Sequence, residues 1–256
     1  MKSCKSWAFP WKRSSLTSLR EAHRRLVEAC SERSWRDDPE DPDKPETVQA
    51  MQIALNLPKQ DPPSRTEVLE AAARAVVKLC LDERAGQEGA FAEALGQWYG
   101  HRIRKVARRA RNKAWRDVQG LPGVTVADRA RAFVPSAVSE VDPLVAKLQI
   151  GHTDLPKDAP RPALGDVPLI LIDASLEMSA GKAAAQVGHG SMLLAAAMSL
   201  DEVEKWAAQD FALCVREVDP EDFAEACARQ DAVVVRDAGF TEVAPDSATV
   251  CALRRP

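Results

Sequence analysis

Leu169-Ile170-Leu171-Ile172-Asp173-Ala174-Ser175-Leu176-Glu177-Met178-Ser179-Ala180-Gly181-Lys182-Ala183-Ala184-Ala185-Gln186-Val187-Gly188-His189 is the stretch that decides the fold. Its first four residues form an apolar run of the kind found in strands covered on both faces. A helix is predicted from 182 to about 200. Further strands are predicted at 211–218, 233–236 and 249–253, with a helix at 220–229 between the first two. Strands alternating with helices imply an α/β fold, its sheet covered by helices on both faces.

Upstream, Asp154-Leu155-Pro156-Lys157-Asp158-Ala159-Pro160-Arg161-Pro162 marks the clearest boundary. It makes 154–166 a linker ahead of a domain at 167–256. Residues 46–153 read as a helix-rich α+β domain. A strand is expected at 51–57, and Ser64 with Glu67 makes a capping box for a helix ending near Leu81. A long helix is predicted from 91 to 118, followed by a hairpin of strands at 124–126 and 130–134. Residues 1–45 read as an extension, partly helical or disordered. An amphipathic helix at 16–36 runs there into Asp37-Asp38-Pro39-Glu40-Asp41-Pro42-Asp43-Lys44-Pro45, too polar and proline-broken to fold alone.

The predicted helix at 91–118 carries an unusual charge pattern. Arg102, Arg104, Lys105, Arg108, Arg109, Arg111, Lys113 and Arg116 follow one another without an acid between them. Guanidinium groups over most of its circumference would suit bidentate contacts to phosphate, so Arg102, Lys105, Arg108, Arg109, Arg111, Lys113 and Arg116 are candidate nucleic-acid ligands. The competing interpretation is a solvated face paired with acids elsewhere in the fold. Residues 167–256 carry the opposite sign, with seven Lys and Arg against fifteen Asp and Glu. A basic region that grips nucleic acid and an acidic one that performs chemistry would divide the work.

Lys182, Gln186 and His189 share one face of the helix by their spacing. The start of that helix, after a buried strand, is where open α/β sheets place ligands and where backbone amides attract anions. A P-loop is excluded, because Leu176 stands where its first glycine belongs and Ala183 replaces the magnesium-binding hydroxyl. A second element, Asp237-Ala238-Gly239-Phe240-Thr241-Glu242-Val243-Ala244-Pro245-Asp246-Ser247-Ala248-Thr249, begins where a predicted strand ends. Read alone, Asp237 need only make a turn.

Together the two elements resemble the archaeal and eukaryotic-type (type 2) peptidyl-tRNA hydrolases. The first fits that family's Met-x-x-Gly-Lys-x-Ala-x-Gln-x-x-His pattern. The second fits its Asp-Ala-Gly-x-Thr-x-x-x-Pro-x-Ser/Thr-x-Thr pattern. The resemblance covers about 167–256 and implies a four-stranded mixed sheet in a homodimer without metal. It further implies hydrolysis of the ester of peptidyl-tRNA or an N-blocked aminoacyl-tRNA. Lys182, Asp237, Thr241 and Thr249 become the expected site, with Gln186 and His189 beside them. Where many family members carry basic residues before the motif, this chain has Asp173, Ser175, Glu177 and Ala180. The alternatives are a non-catalytic tRNA- or ribosome-binding protein with a degenerate hydrolase domain, and hydrolysis of another acyl ester. The helical region ahead of the domain resembles an actinobacterial-type extension.

Composition narrows the remaining classes. A chain of 256 residues with 45% hydrophobic content supports one or two domains, and net charge is −3. Six cysteines without a Cys-x-x-Cys pair and four histidines do not suggest a zinc site, so no metal or other cofactor is expected. Scattered thiols, and the lack of an apolar run near the N-terminus, suggest the cytoplasm and no membrane.

Overall fold

The computed structural model describes residues 11–31, 40–159, 165–237, 239 and 242–255, with side chains in the first helix from residue 17 onward. The first half runs α1 (Trp11–Cys30), β1 (Gln49–Asn56), α2 (Arg65–Cys80), α3 (Ala90–Tyr99), β2 (Arg104–Ala110), α4 (Asn112–Asp117), β3 (Gly123–Val126), β4 (Ala130–Phe133), β5 (Ser136–Ala137) and α5 (Pro143–Ala146). The second runs β6 (Leu169–Asp173), α6 (Ala180–Ala197), α7 (Leu200–Ala208), β7 (Cys214–Val218), α8 (Pro220–Cys227), β8 (Val233–Arg236) and β9 (Ala248–Leu253).

The chain is α/β, with two mixed sheets. In the C-terminal sheet the order is β7-β6-β9-β8, with β6 parallel to β7 and antiparallel to β9. Alternation along β6 sends Ile170 and Ile172 toward α6, while Leu169 and Leu171 meet Phe223 of α8. Helices therefore cover both faces, as the unbroken apolar run requires. In the N-terminal sheet the order is β2-β1-β4-β3, with β5 also on β1. All eight residues of the central strand β1 are buried. Two of its polar members find partners: Gln52 accepts from Arg108 at 2.7 Å, and Asn56 donates to the Asp128 carbonyl at 2.9 Å.

The long basic helix does not form. Residues 91–118 divide into α3, the strand β2 and the short helix α4. Arginine, lysine and alanine favour helix, but only weakly, and pairing of β2 with β1 along seven positions outweighs that preference. β2 is an edge strand, where long charged side chains are tolerated and discourage pairing with other chains. α1 is also more firmly held than an extension would be. Ala22 and Leu26 are fully buried, and His23 Nε2 lies 2.9 Å from the Ala195 carbonyl of α6.

A single apolar core runs through both halves. α2 and α6 pack against each other more extensively than any other pair of helices, with small residues at the crossing. A Cβ on Gly188 would come within 2.8 Å of Val76, and Ser191 Oγ donates to the Ala73 carbonyl at 2.8 Å. At one end of this junction lies Lys105, its Nζ buried without a hydrogen-bond partner and 5.0 Å from the Trp98 ring centre. Burial pushes its ammonium down to about 7, against a smaller opposing pull from Cys80 and Cys30. Burial raises both thiols, Cys30 to about 12 and Cys80 to about 11.

An unfolded lysine titrates near about 10.4, so above pH 7 the unfolded chain holds a proton that folded Lys105 has lost. Stability should therefore rise between about pH 7 and 8.5, before the two thiols reverse the trend. Lys105→Met is expected to raise Tm at pH 7 and to abolish that rise, up to about 2 kcal/mol over the window. Thermal melts of both proteins at pH 7.0 and 8.5 check this.

Candidate active site

α6 begins at a built N-terminus. Ser179 Oγ accepts from the Lys182 amide at 3.1 Å, and Thr153 Oγ1 accepts from the Gly181 amide at 2.9 Å. The anion expected here is supplied by the chain itself. Glu242 accepts from the Ser179 amide at 2.8 Å and from its hydroxyl at 2.7 Å. That latch fastens the loop after β8 to the start of α6, and Glu242 lines an open cleft of about 330 Å³ together with Arg65, Lys157, Glu177 and Ser179.

From the first and second turns of α6, Lys182 and Gln186 reach one carboxylate. Lys182 Nζ lies 2.5 Å from Asp237 Oδ2, and Gln186 Nε2 donates to the same oxygen at 2.6 Å. The other oxygen, Oδ1, accepts from the Gly239 amide at 2.8 Å, the turn that Gly239 makes with φ +79°. Thr249 Oγ1 of β9 donates to Gln186 Oε1 at 2.8 Å. Two distant stretches thus meet through Thr249, Gln186, Asp237 and Lys182. The Lys182 and Asp237 side chains are 12% and 9% exposed, so bulk solvent screens the pair little while leaving it reachable.

Thr241 lies outside the described residues. His189 joins no hydrogen bond of this network among the described residues. Its ring sits at the junction with the N-terminal half, where burial first and the Lys105 charge second hold it neutral, well below the ordinary imidazole range.

The candidate phosphate ligands fare differently from one another. Of them, only Lys105, Arg108 and Arg109 lie on β2; Arg102 precedes it, Arg111 is the N-cap residue of α4, and Lys113 and Arg116 lie on α4. Arg108 donates to the Leu148 carbonyl at 3.0 Å, Arg109 to the His152 carbonyl at 3.0 Å, and Arg111 to the Leu57 carbonyl at 2.6 Å. Arg104 pairs with Glu40, and Arg102 is half-buried. The Lys105 ammonium is sealed beneath Trp98. Arg116 is exposed, as is Lys113, which pairs with Asp117 at 2.5 Å.

Sequence reasoning missed Glu242 and Arg65. The first makes the latch. The second, 3% exposed, reaches from the first turn of α2 to the Met178 carbonyl at 2.7 Å and to Glu217 at 2.9 Å. No local pattern marks either, because both act across long stretches of chain. Among the described residues no group of three or more His, Cys, Asp or Glu is placed to hold a metal, and no helix is long and apolar enough to cross a membrane.

No curated protein and no solved structure gives a match to this chain. Residues 167–255, the segment that holds Lys182, Gln186, Asp237 and Thr249, match the family model for peptidyl-tRNA hydrolase PTH2.

Proposed function

We propose that the C-terminal half hydrolyses the ester joining a peptide, or an N-blocked amino acid, to the terminal ribose of tRNA. The observation that carries this reading is the convergence of Lys182, Gln186 and Thr249 around Asp237, within the family-matched segment. Such an ester needs a group to activate water and a positive charge for the oxyanion. Asp237 orients the water and takes its proton as the oxygen attacks the acyl carbon. The Lys182 ammonium faces the developing oxyanion. Collapse breaks the acyl–oxygen bond, and the ribose oxygen leaves with a proton as the hydroxyl. In this reading the direct contact between Lys182 and Asp237 opens to admit the ester.

Gln186, held by Thr249, keeps the carboxylate in place. Thr241 belongs to the same proposed set through its position in the motif. His189, neutral and turned toward Lys105, acts by packing. The partner is tRNA, with the ribosome as a further candidate, and the reading places the work in the cytoplasm without a cofactor. In the nucleic-acid contact, Lys113 and Arg116 take the main part, with the outer atoms of Arg102, Arg109 and Arg111 beside them. Lys113→Glu with Arg116→Glu is expected to weaken tRNA binding and to lower the salt dependence by about 1–2 ion equivalents. Filter binding at several salt concentrations measures both.

One observation favours the rival, a docking module without turnover. Glu177 and Glu242 flank the start of α6, where a phosphate would approach. Release of an N-blocked amino acid from charged tRNA, measured beside a gel shift, separates the two. Binding with release supports the enzyme, and tight binding without release supports the module.

A further inference from the structure

The two halves repeat one another. β1, α2, α3, β2, α4, β3 and β4 follow in the same order as β6, α6, α7, β7, α8, β8 and β9. The sheets β2-β1-β4-β3 and β7-β6-β9-β8 have one topology, parallel at the first pair and antiparallel at the other two. Ser64 caps α2 by accepting from the amide three residues on, and Ser179 caps α6 in the same way. Placing Ser64 on Ser179 and counting along the helices puts Val76 on Ser191 and Ala73 on Gly188. Those four residues make reciprocal contacts: Ser191 meets Ala73, and Val76 meets Gly188. Contacts that exchange in this way are the mark of an isologous, two-fold interface. Here the interface lies within one chain.

The same alignment empties the reactive positions of the first half. Glu67 stands where Lys182 does, and Ala71 where Gln186 does. The loop that carries Asp237 between β8 and β9 shrinks to a tight turn after β3, with Ala127 and Asp128 at φ +50° and +53°. We propose that the N-terminal half is a reactive-site-free twin of the C-terminal half, standing where a second copy would stand. One chain with one site is then the complete working unit. The homodimer that the family resemblance implies becomes internal.

The surface fits this inference. Among the described residues, exposed large apolar side chains are confined to Val138, Leu144 and Ile150, away from the α2–α6 junction. The inference does not rest on ester hydrolysis, so it stands or falls separately. Light scattering of the full chain across micromolar concentrations is expected to give the mass of one chain, 27.9 kDa. A stable mass of twice that value would overturn the proposal. A second measurement uses Val76→Cys with Gly188→Cys, since a Cβ on Gly188 would lie 3.4 Å from that of Val76. Mild oxidation is expected to give a bond within the chain that migrates as one chain on a non-reducing gel. A cross-linked pair of chains, or no bond in the folded variant, would also overturn it.

Discussion

Asp237→Asn is expected to slow release of an N-blocked amino acid from tRNA by about 10²–10⁴-fold, the range for losing a positioned general base. The substitution keeps the size of the side chain and an oxygen for the Gly239 amide. It loses the charge that faces Lys182 and the acceptor that Gln186 uses. Lys182→Met should slow release by about 10²–10³-fold through loss of oxyanion stabilisation. Each single variant removes the contact between two nearly buried opposite charges, at a stability cost of about 1–3 kcal/mol. Joining both substitutions removes both charges, so the double variant should recover part of the stability but not turnover. Single-turnover release and urea melts on the three variants test this. A double variant that regained turnover would assign the chemistry elsewhere.

Arg65→Met is expected to have the largest effect on stability, a loss of about 3–5 kcal/mol, because it strands the Glu217 carboxylate and the Met178 carbonyl. Arg65 is 3% exposed and ties the first turn of α2 to the segment that leads into α6. Its planar fork serves two acceptors at once, so Arg65→Lys should restore part of the loss but not all of it. Urea denaturation gives the three stabilities. Release should fall far less than in Asp237→Asn when measured where the variant remains folded, since Arg65 does not touch the network. A wild-type stability in Arg65→Met would show that the two halves are not joined through this contact.

The C-terminal fold was readable because its apolar runs are unambiguous. Leu169 to Ile172 is too apolar for an exposed strand, and the strand at 233–236 was anticipated at its observed bounds. The capping box at Ser64 and Glu67 and the hairpin of β3 and β4 were also legible. What failed was local propensity against tertiary pairing. Residues 102–116 have the composition of a helix, and only β1 alongside makes Arg104–Ala110 a strand. The motif residues of the site could be picked out as a set, and Lys182, Gln186, Asp237 and Thr249 do converge. His189 shares their helical face by spacing, yet the packing of α6 on β2 puts it against Lys105. The repeat was hidden for another reason. Fold is kept by the pattern of burial, and the two halves differ where the chemistry lies, with Glu67 and Ala71 against Lys182 and Gln186.

The most direct test of the Asp237 centre is single-turnover release of an N-acetylated amino acid from its tRNA, with the full-length protein in excess. The account predicts a single exponential phase far above the uncatalysed rate, yielding free tRNA and the acetylated amino acid without added metal or cofactor. Release no faster than in buffer, from protein shown to hold the tRNA, would contradict it.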